Sequence, residues 1–358
     1  MNLAFYAPLK AADHAVPSGD RAMARALIAA LEFGGAQVTL ASDLRSRDGA
    51  GDAAVQQRLF DAAKAEVARL IPQGHREKWA AWITYHNYYK APDLIGPAVA
   101  KALKIPYLLI ESTRARKRLT GPWAPFAKAA EAASDAADVI FYLTQRDAQT
   151  LERDKTQGQT LLHLRPFLAR QTLPAMSLGN GPMLSVGMLR SGDKLASYRI
   201  IAETLHHLPS GAWALDIAGD GPARPQVEAL MAPFGKAVRF LGQLDATAME
   251  SVYARASLLF WPGVNEAFGL AYLEAQAAGL PIVAQNRPGV CDVLAPGDYA
   301  DPEDGIAPMS TRLQALLAVP SLRMALGERA RCHVAGHHLL PAAADTLRRG
   351  LARAGVSL

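Results

Sequence analysis

Short apolar runs alternate with longer segments of helical periodicity along the whole chain. In the first half, runs at 3–7, 37–41, 79–85, 107–110 and 139–143 predict strands. Helices are predicted at 20–33, 97–103 and 146–153. This βαβα rhythm implies a parallel sheet with helices on both faces. Near Pro166 the rhythm restarts. The stretch 168–182 (LARQTLPAMSLGNGP) is rich in turn formers and reads as a linker. Beyond it, strands are predicted at 183–186, 214–218, 238–241, 258–261 and 282–284. Helices are predicted at 197–207, 225–231 and 247–254, over the segment after 266, and at the C-terminus. The fold class is therefore α/β, with two doubly wound halves facing a central cleft. Ligands of such sheets bind outside the carboxyl ends of the strands. The domain bounds read 1–170 and 171–340, with 341–358 holding a helix that crosses back to the first domain.

A length of 358 residues suits two domains, and a composition half hydrophobic and one-fifth charged suits ordinary cores. No apolar run reaches the roughly 18 residues a membrane span needs. The start, MNLAFYAPLK, has no basic n-region, so no signal peptide is expected. The two cysteines, Cys291 and Cys332, lack metal-ligand spacing, which fits a reducing compartment. A cytoplasmic location is expected. Residues 1–170 carry 23 Lys and Arg against 17 Asp and Glu, and the excess peaks at Arg114, Arg116, Lys117 and Arg118. That cluster is either a solvated loop or a contact for an anionic partner, a lipid headgroup surface at the inner face of the membrane or a phosphorylated acceptor. No nucleic-acid-binding motif accompanies it, so nucleic acid is not expected as a partner.

The chemistry concentrates in LLFWPGVNEAFGLAYLEAQAAGLPIV (258–283). Glu266 lies on a Gly/Pro-rich loop after a strand-like run, and Glu274 lies eight positions on, inside the next helix. A strand, a loop and a helix N-terminus gather free N–H groups and a partial positive charge, which suits phosphate. A carboxylate just inside the helix can accept from a ribose diol, and one just before it can hold sugar hydroxyls. Arg190 and Lys194, in VGMLRSGDKLASYR (186–199), follow the first strand of the second half. Two cations there would stabilise a departing diphosphate more than its ground state. IAGDGP (217–222) ends another strand, where Gly219, Asp220 and Gly221 form either a plain turn or a loop facing base or ribose. In the first half, Ser18, Gly19 and Asp20 open the first helix, as a cap or an anion cradle. His86, Tyr88, Tyr89 and Lys90 follow a strand and suit a sugar or an acceptor. Glu111 ends another strand, where a lone carboxylate would ordinarily pair with a neighbouring Arg. No Asp-x-Asp, His/Cys cluster, GxSxG or P-loop occurs, so neither a catalytic metal nor a cofactor is expected.

Together these pieces resemble family 4 of the glycosyltransferases, retaining enzymes of the GT-B fold with two Rossmann-like domains. The hallmark Glu-x7-Glu is E266AFGLAYLE274, flanked by GMLRSGDK, AGDGP, VRFLGQLD, YARASLLFWP and AGLPIVA. The resemblance covers nearly the whole chain, more weakly in the first half. It implies transfer of a sugar from a nucleoside diphosphate to a glycan or lipid-linked acceptor, without a metal. Glu274 would bind ribose, and Glu266 would face the donor sugar. The amides of Ala267, Phe268, Gly269 and Leu270 would touch sugar and phosphate, with Gly219 and Asp220 beside the donor. Lys194 and Arg190 would stabilise the diphosphate. Gly19 would approach phosphate, and His86 would lie near the transferred sugar. Ser18, Asp20, Tyr88, Lys90, Glu111 and Arg114 are the acceptor-side candidates. The chain departs from the family at Met188, where an Arg is usual and for which Arg190, two residues on, is a candidate replacement, and at Glu111, where many members carry His. No carboxylate is placed as a nucleophile, so front-face attack with the leaving phosphate as base is expected. The alternatives are a catalytically degenerate nucleotide-sugar-binding partner subunit and a GT-B phosphorylase or epimerase.

Overall fold

Eleven strands among the described residues form two parallel sheets, and every predicted strand is present. The computed structural model describes residues 1–15, 19–209, 211 and 213–357. The chain divides into one unit of Met1–Arg165 with Leu340–Leu358 and a second of Pro166–Leu339.

The first unit runs β1 (Asn2–Tyr6), α1 (Gly19–Phe33), β2 (Gln37–Ser42), α2 (Ala53–Glu77), β3 (Trp79–Asn87), α3 (Gly96–Leu103), β4 (Tyr107–Ser112), α4 (Ala124–Ala136), β5 (Val139–Tyr142), α5 (Gln145–Arg153) and β6 (Thr160–His163). Its sheet order is β2-β1-β3-β4-β5-β6. The order reverses between β1 and β3, so their carboxyl ends flank a switch point. Strands buried on both faces need apolar side chains throughout, and β1 and β4 supply Leu3, Phe5, Leu108 and Ile110 at 0% exposure. Three elements lie outside the sequence expectation: α2, α4 and β6. Helix α2 is capped by Asp52, whose side chain accepts from the amides of Ala54 and Val55, and it continues through Pro72 and Gly74. Gly74 is required there, since a Cβ would lie 2.4 Å from Leu103 and 2.8 Å from Trp79.

The second unit runs β7 (Met183–Val186), α6 (Asp193–Leu205), β8 (Leu215–Ala218), α7 (Arg224–Met231), β9 (Val238–Gly242), α8 (Ala246–Arg255), β10 (Leu259–Phe260), α9 (Leu270–Ala277), β11 (Ile282–Val283), α10 (Ala307–Ala318) and α11 (Pro320–His337). The order β11-β10-β7-β8-β9 places the switch point between β7 and β10. Its core is built on Leu184, Tyr198, Ile217, Leu259, Phe260, Trp261 and Tyr272. The last helix, α12 (Leu340–Arg353), belongs to the first unit. Its Gly350 sits so close to β5 that a Cβ would come 2.1 Å from the Phe141 ring.

Candidate functional site

In the second unit, the loops after β7 and β10 carry the sequence candidates to one switch point. Gly192 precedes α6 at φ 79°, and Lys194 lies in the helix's first turn. Lys194 Nζ donates to Glu266 Oε1, which also accepts the Trp261 indole N–H at 2.9 Å. The ammonium lies 5.4 Å from the Trp261 ring centroid. Two further bonds tie the Glu266 loop to α6: Asn265 Nδ2 donates to Asp193 at 2.9 Å, and the Val264 amide donates to Ser197 Oγ at 3.1 Å. Lys194 and Glu266 are thus brought together, with Glu266 Oε1 fully engaged and Oε2 turned to no partner among the described residues.

The backbone around this pair approaches closely because glycine permits it. A Cβ on Gly187 would strike Trp261 at 2.7 Å, and one on Gly219 would lie 2.0 Å from the Gly187 carbonyl. Gly221 (φ 154°) meets the Leu189 carbonyl in the same way. The turn expected at 219–221 is therefore also a packing surface for the loop after β7, closed by bonds from the Leu189 amide to Asp220 and from the Ala223 amide to Leu189. The Asp220 carboxylate is committed to the Gly221 amide at 2.7 Å and to Arg224 at 3.0 Å. Arg190 is exposed, and its side chain makes no polar contact among the described residues. Met188 is exposed as well.

Gly269 (φ 74°) caps α9, which begins at Leu270. The first amides of a helix lack intrahelical acceptors, so this end offers N–H groups. Ala267 is held by Gly289, whose Cβ would lie 1.9 Å from the Ala267 carbonyl, and Phe268 packs on the core. Glu274 lies one turn into α9 and accepts from Tyr253 Oη at 2.8 Å. Burial raises its pKa, and the Tyr253 bond opposes that rise only partly. Glu274 and Glu266 share no partner. Trp261 and Tyr253, which orient the two glutamates, escaped the sequence reading, because nothing local marks an aromatic whose polar edge meets a carboxylate.

In the first unit, Gly19 opens α1 with nothing within 4 Å of where a Cβ would be. Ser18 lies outside the described residues. His86 Nε2 is 3.0 Å from Glu111 Oε1, and His86 Nδ1 is 4.0 Å from Asp20 Oδ1. His86, Asp20 and Glu111 are thus gathered at the β1/β3 switch point. The expected pairing of Glu111 with a neighbouring Arg is not what the structure holds: its partner is His86. Both His86 (φ 70°) and Glu111 (φ 59°) adopt left-handed backbone, uncommon for residues with a Cβ. Asn87 supports this geometry from the next position. Its Nδ2 donates to Ser112, Ser134 and the Ala130 carbonyl, and its Oδ1 accepts the Asp93 amide. Burial pulls the His86 pKa down, but the carboxylates of Glu111 and Asp20 outweigh it and the net shift is upward. His86 Nδ1 and Glu111 Oε2 are both buried without a hydrogen-bond partner.

Tyr88 lies next to His86, ring centroids 6.1 Å apart, and Lys90 lies beyond it over Tyr89. Arg114 is elsewhere: its side chain is buried between Glu131 and Asp135, each at 2.7 Å, where it fastens the segment after β4 to α4. The basic cluster is also divided. Arg116 pairs with Asp154 at 2.7 Å and Arg118 lies over aromatic rings, so it is not one continuous solvated patch. Among the described residues no helix is long and apolar enough to cross a membrane.

The architecture is that of the GT-B fold, two Rossmann-like units in one chain. Sucrose-phosphate synthase from Thermosynechococcus elongatus superposes with a TM-score of 0.71 at 18% identity over 97% of both chains. Anabaena HepE, solved in complex with UDP, gives 0.74 at 14% identity over 98% of this chain and all of its own. More particularly, residues 197–337 match the family model of the glycosyl transferases group 1. A D-inositol 3-phosphate glycosyltransferase of Corynebacterium kroppenstedtii is 34% identical over 145 residues, 37% of this chain and 32% of its own. Sulfoquinovosyl transferase SQD2 of Arabidopsis thaliana is 29% identical over 147 residues, 38% of this chain and 27% of its own. The chain thus spans about a third of the length of these curated relatives.

Proposed function

We propose that this chain transfers a sugar from a nucleoside diphosphate sugar to a hydroxyl of a glycan or lipid-linked acceptor, with retention at the anomeric carbon. The observation that carries this is the Lys194–Glu266 pair at the β7/β10 switch point, inside the segment that matches the glycosyl transferases group 1. HepE, solved with UDP and with UDP-glucose, makes a uridine nucleotide sugar the first donor to test.

The roles follow from the free valences. Lys194 keeps donors beyond the one given to Glu266, and a diphosphate beside it would take them. When the bond between the anomeric carbon and the phosphate oxygen breaks, the charge left on the diphosphate lies next to that fixed ammonium. Glu266 Oε2 would accept a donor-sugar hydroxyl while Oε1 stays anchored to Trp261 and Lys194. Glu274, with one oxygen on Tyr253, would accept from ribose with the other. The amides at 267–270 would serve sugar and phosphate. Within the first unit, taken by itself, Gly19 leaves room for an anion at the start of α1, and the unpartnered His86 Nδ1 and Glu111 Oε2 are open to ligand hydroxyls. The acceptor proton would pass to the departing phosphate, with attack on the face that it leaves.

A thermal-shift panel of UDP, GDP and ADP and their sugars tests the donor reading. A ligand at 100 times its Kd stabilises by about 2.7 kcal/mol. A flat response to all of them sinks the proposal, and an inverted anomer in the product sinks retention alone.

A further inference from the structure

Beside His86, the first unit carries an aromatic and cationic group that the donor chemistry leaves unused. Tyr88, Tyr89 and Trp123 form a ladder, with ring centroids 5.7 and 5.8 Å apart and edge-to-face at both steps. Two cations share the last two rings. Lys90 Nζ lies 5.7 Å from the Tyr89 centroid and 5.5 Å from that of Trp123, and the Arg118 guanidinium lies 5.0 and 5.3 Å from the same rings. A third cation, Arg47, lies close enough to Tyr88 to favour its ionised form. The rings are half-buried and held in place: the Trp123 indole donates to the Asp48 carbonyl at 3.4 Å, and the Asp48 amide donates to Lys90 at 2.9 Å.

Charge balance makes the group unusual. Like charges on one pair of rings repel, and stacking on an aromatic face recovers only about 0.5–1 kcal/mol at an exposed site. Neither Lys90 nor Arg118 has a carboxylate partner among the described residues. The nearby acid, Asp48, is already taken by the Gln56 amide at 2.8 Å and the amides of Ala50 and Gly51. Arg118 Nε is buried with no hydrogen-bond partner, a donor that a bound anion could satisfy. Aromatic faces beside unpaired cations match a ring with an apolar C–H face and an anionic substituent.

We propose that Arg47, Tyr88, Tyr89, Lys90, Arg118 and Trp123 form an acceptor subsite for a phosphorylated sugar or polyol, free or as a lipid headgroup. The sugar ring stacks on the aromatic ladder and the phosphate lies between Lys90 and Arg118. This rests on the transferase reading for the word acceptor, but binding at the subsite does not.

The test is binding without turnover, on the full chain, by calorimetry with glucose 6-phosphate and glucose, and by co-sedimentation with phosphatidylcholine vesicles with and without phosphatidylinositol. Glucose 6-phosphate or the phosphatidylinositol vesicles should bind and glucose should not. Binding should fall at least about tenfold in both Lys90→Gln and Arg118→Gln, the ion-dependent part weakening with salt. Binding of the soluble phosphate alone assigns a free acceptor, and binding of vesicles alone assigns a lipid headgroup. The proposal is overturned if neither phosphate probe binds, if glucose binds as well as its phosphate, or if both variants bind unchanged. UDP binding is the separate control. A wild-type chain that binds UDP but neither phosphate probe loses the subsite and keeps the donor site, and the reverse result keeps the subsite and loses the donor reading. Lys90→Gln keeps the test valid should Arg118→Gln lose its fold, since the Lys90 side chain has no hydrogen bond or ion pair among the described residues to lose.

Discussion

At the β7/β10 switch the polar side chains stand on a loop and on helix starts beside loops that glycines press together, whereas at the β1/β3 switch they stand on strained backbone locked by buried side chains. Gly187, Gly219 and Gly221 let the loops of the second unit meet with no room for a Cβ. In the first unit, His86 and Glu111 hold left-handed conformations without glycine, and Asn87 with its partners secures them. The same contrast appears in the cations. Lys194 lies beside one carboxylate with donors to spare, while Arg114 is closed between two acids. A cation with spare valence can serve a ligand, and one whose valence is spent serves the fold.

The largest expected effect tests that distinction. Arg114→Ala leaves the partly buried Glu131 with only the Ala115 amide and no countercharge, and breaking such a pair costs about 3–5 kcal/mol. Chemical denaturation should show that loss while UDP binding by the folded fraction is unchanged. A UDP affinity that collapses in the folded fraction would erase the contrast. Lys194→Ala should do the reverse, lowering kcat by about 100- to 1,000-fold with little loss of stability. Steady-state kinetics on the donor that the thermal panel selects decides it, and near-normal kcat would remove Lys194 from its role.

Glu274→Gln should weaken nucleotide binding by about 1.5–3 kcal/mol, the worth of a hydrogen bond to a charged group. It should also raise the melting temperature of the free protein at neutral pH. Burial raises the folded-state pKa of Glu274, so its ionised form destabilises the fold. The wild type loses that stability as pH climbs from the ordinary Glu range through the raised value, and glutamine does not. The two melting curves should therefore converge as pH falls, and a gap that widens instead would contradict the sign.

The smallest effect concerns His86. Its raised pKa means that the imidazolium pair with Glu111 stabilises fully below the ordinary imidazole value, near 6.5, and fades as pH rises through the folded value. Glu111→Gln removes the main carboxylate and leaves burial dominant, so the His86 pKa should drop, read by NMR titration of the ring protons. No change would show that Asp20 alone holds the charge.

Much of this was legible before the fold. The strand runs of both halves, the loop and helix around Glu266 and Glu274, and the placing of Lys194 after the first strand of its half all stand in the structure. Helix α2 was not among the expected elements: it contains Pro72 and Gly74, which disfavour a helix interior, and is sustained by the Asp52 cap and close packing on Leu103 and Trp79. Arg114 and Arg118 looked alike in a basic run, yet one is sealed between acids and the other lies on aromatic rings.

Local pattern decides what a residue's neighbours in the chain can dictate. Periodicity set the α/β class, and loop composition marked the strand ends where chemistry collects. Which hydrogen-bond valences stay open was decided only by tertiary structure. Trp261 on Glu266, Tyr253 on Glu274 and His86 on Glu111 come from separate elements, and a side chain's free donors and acceptors are whatever such distant partners leave unused.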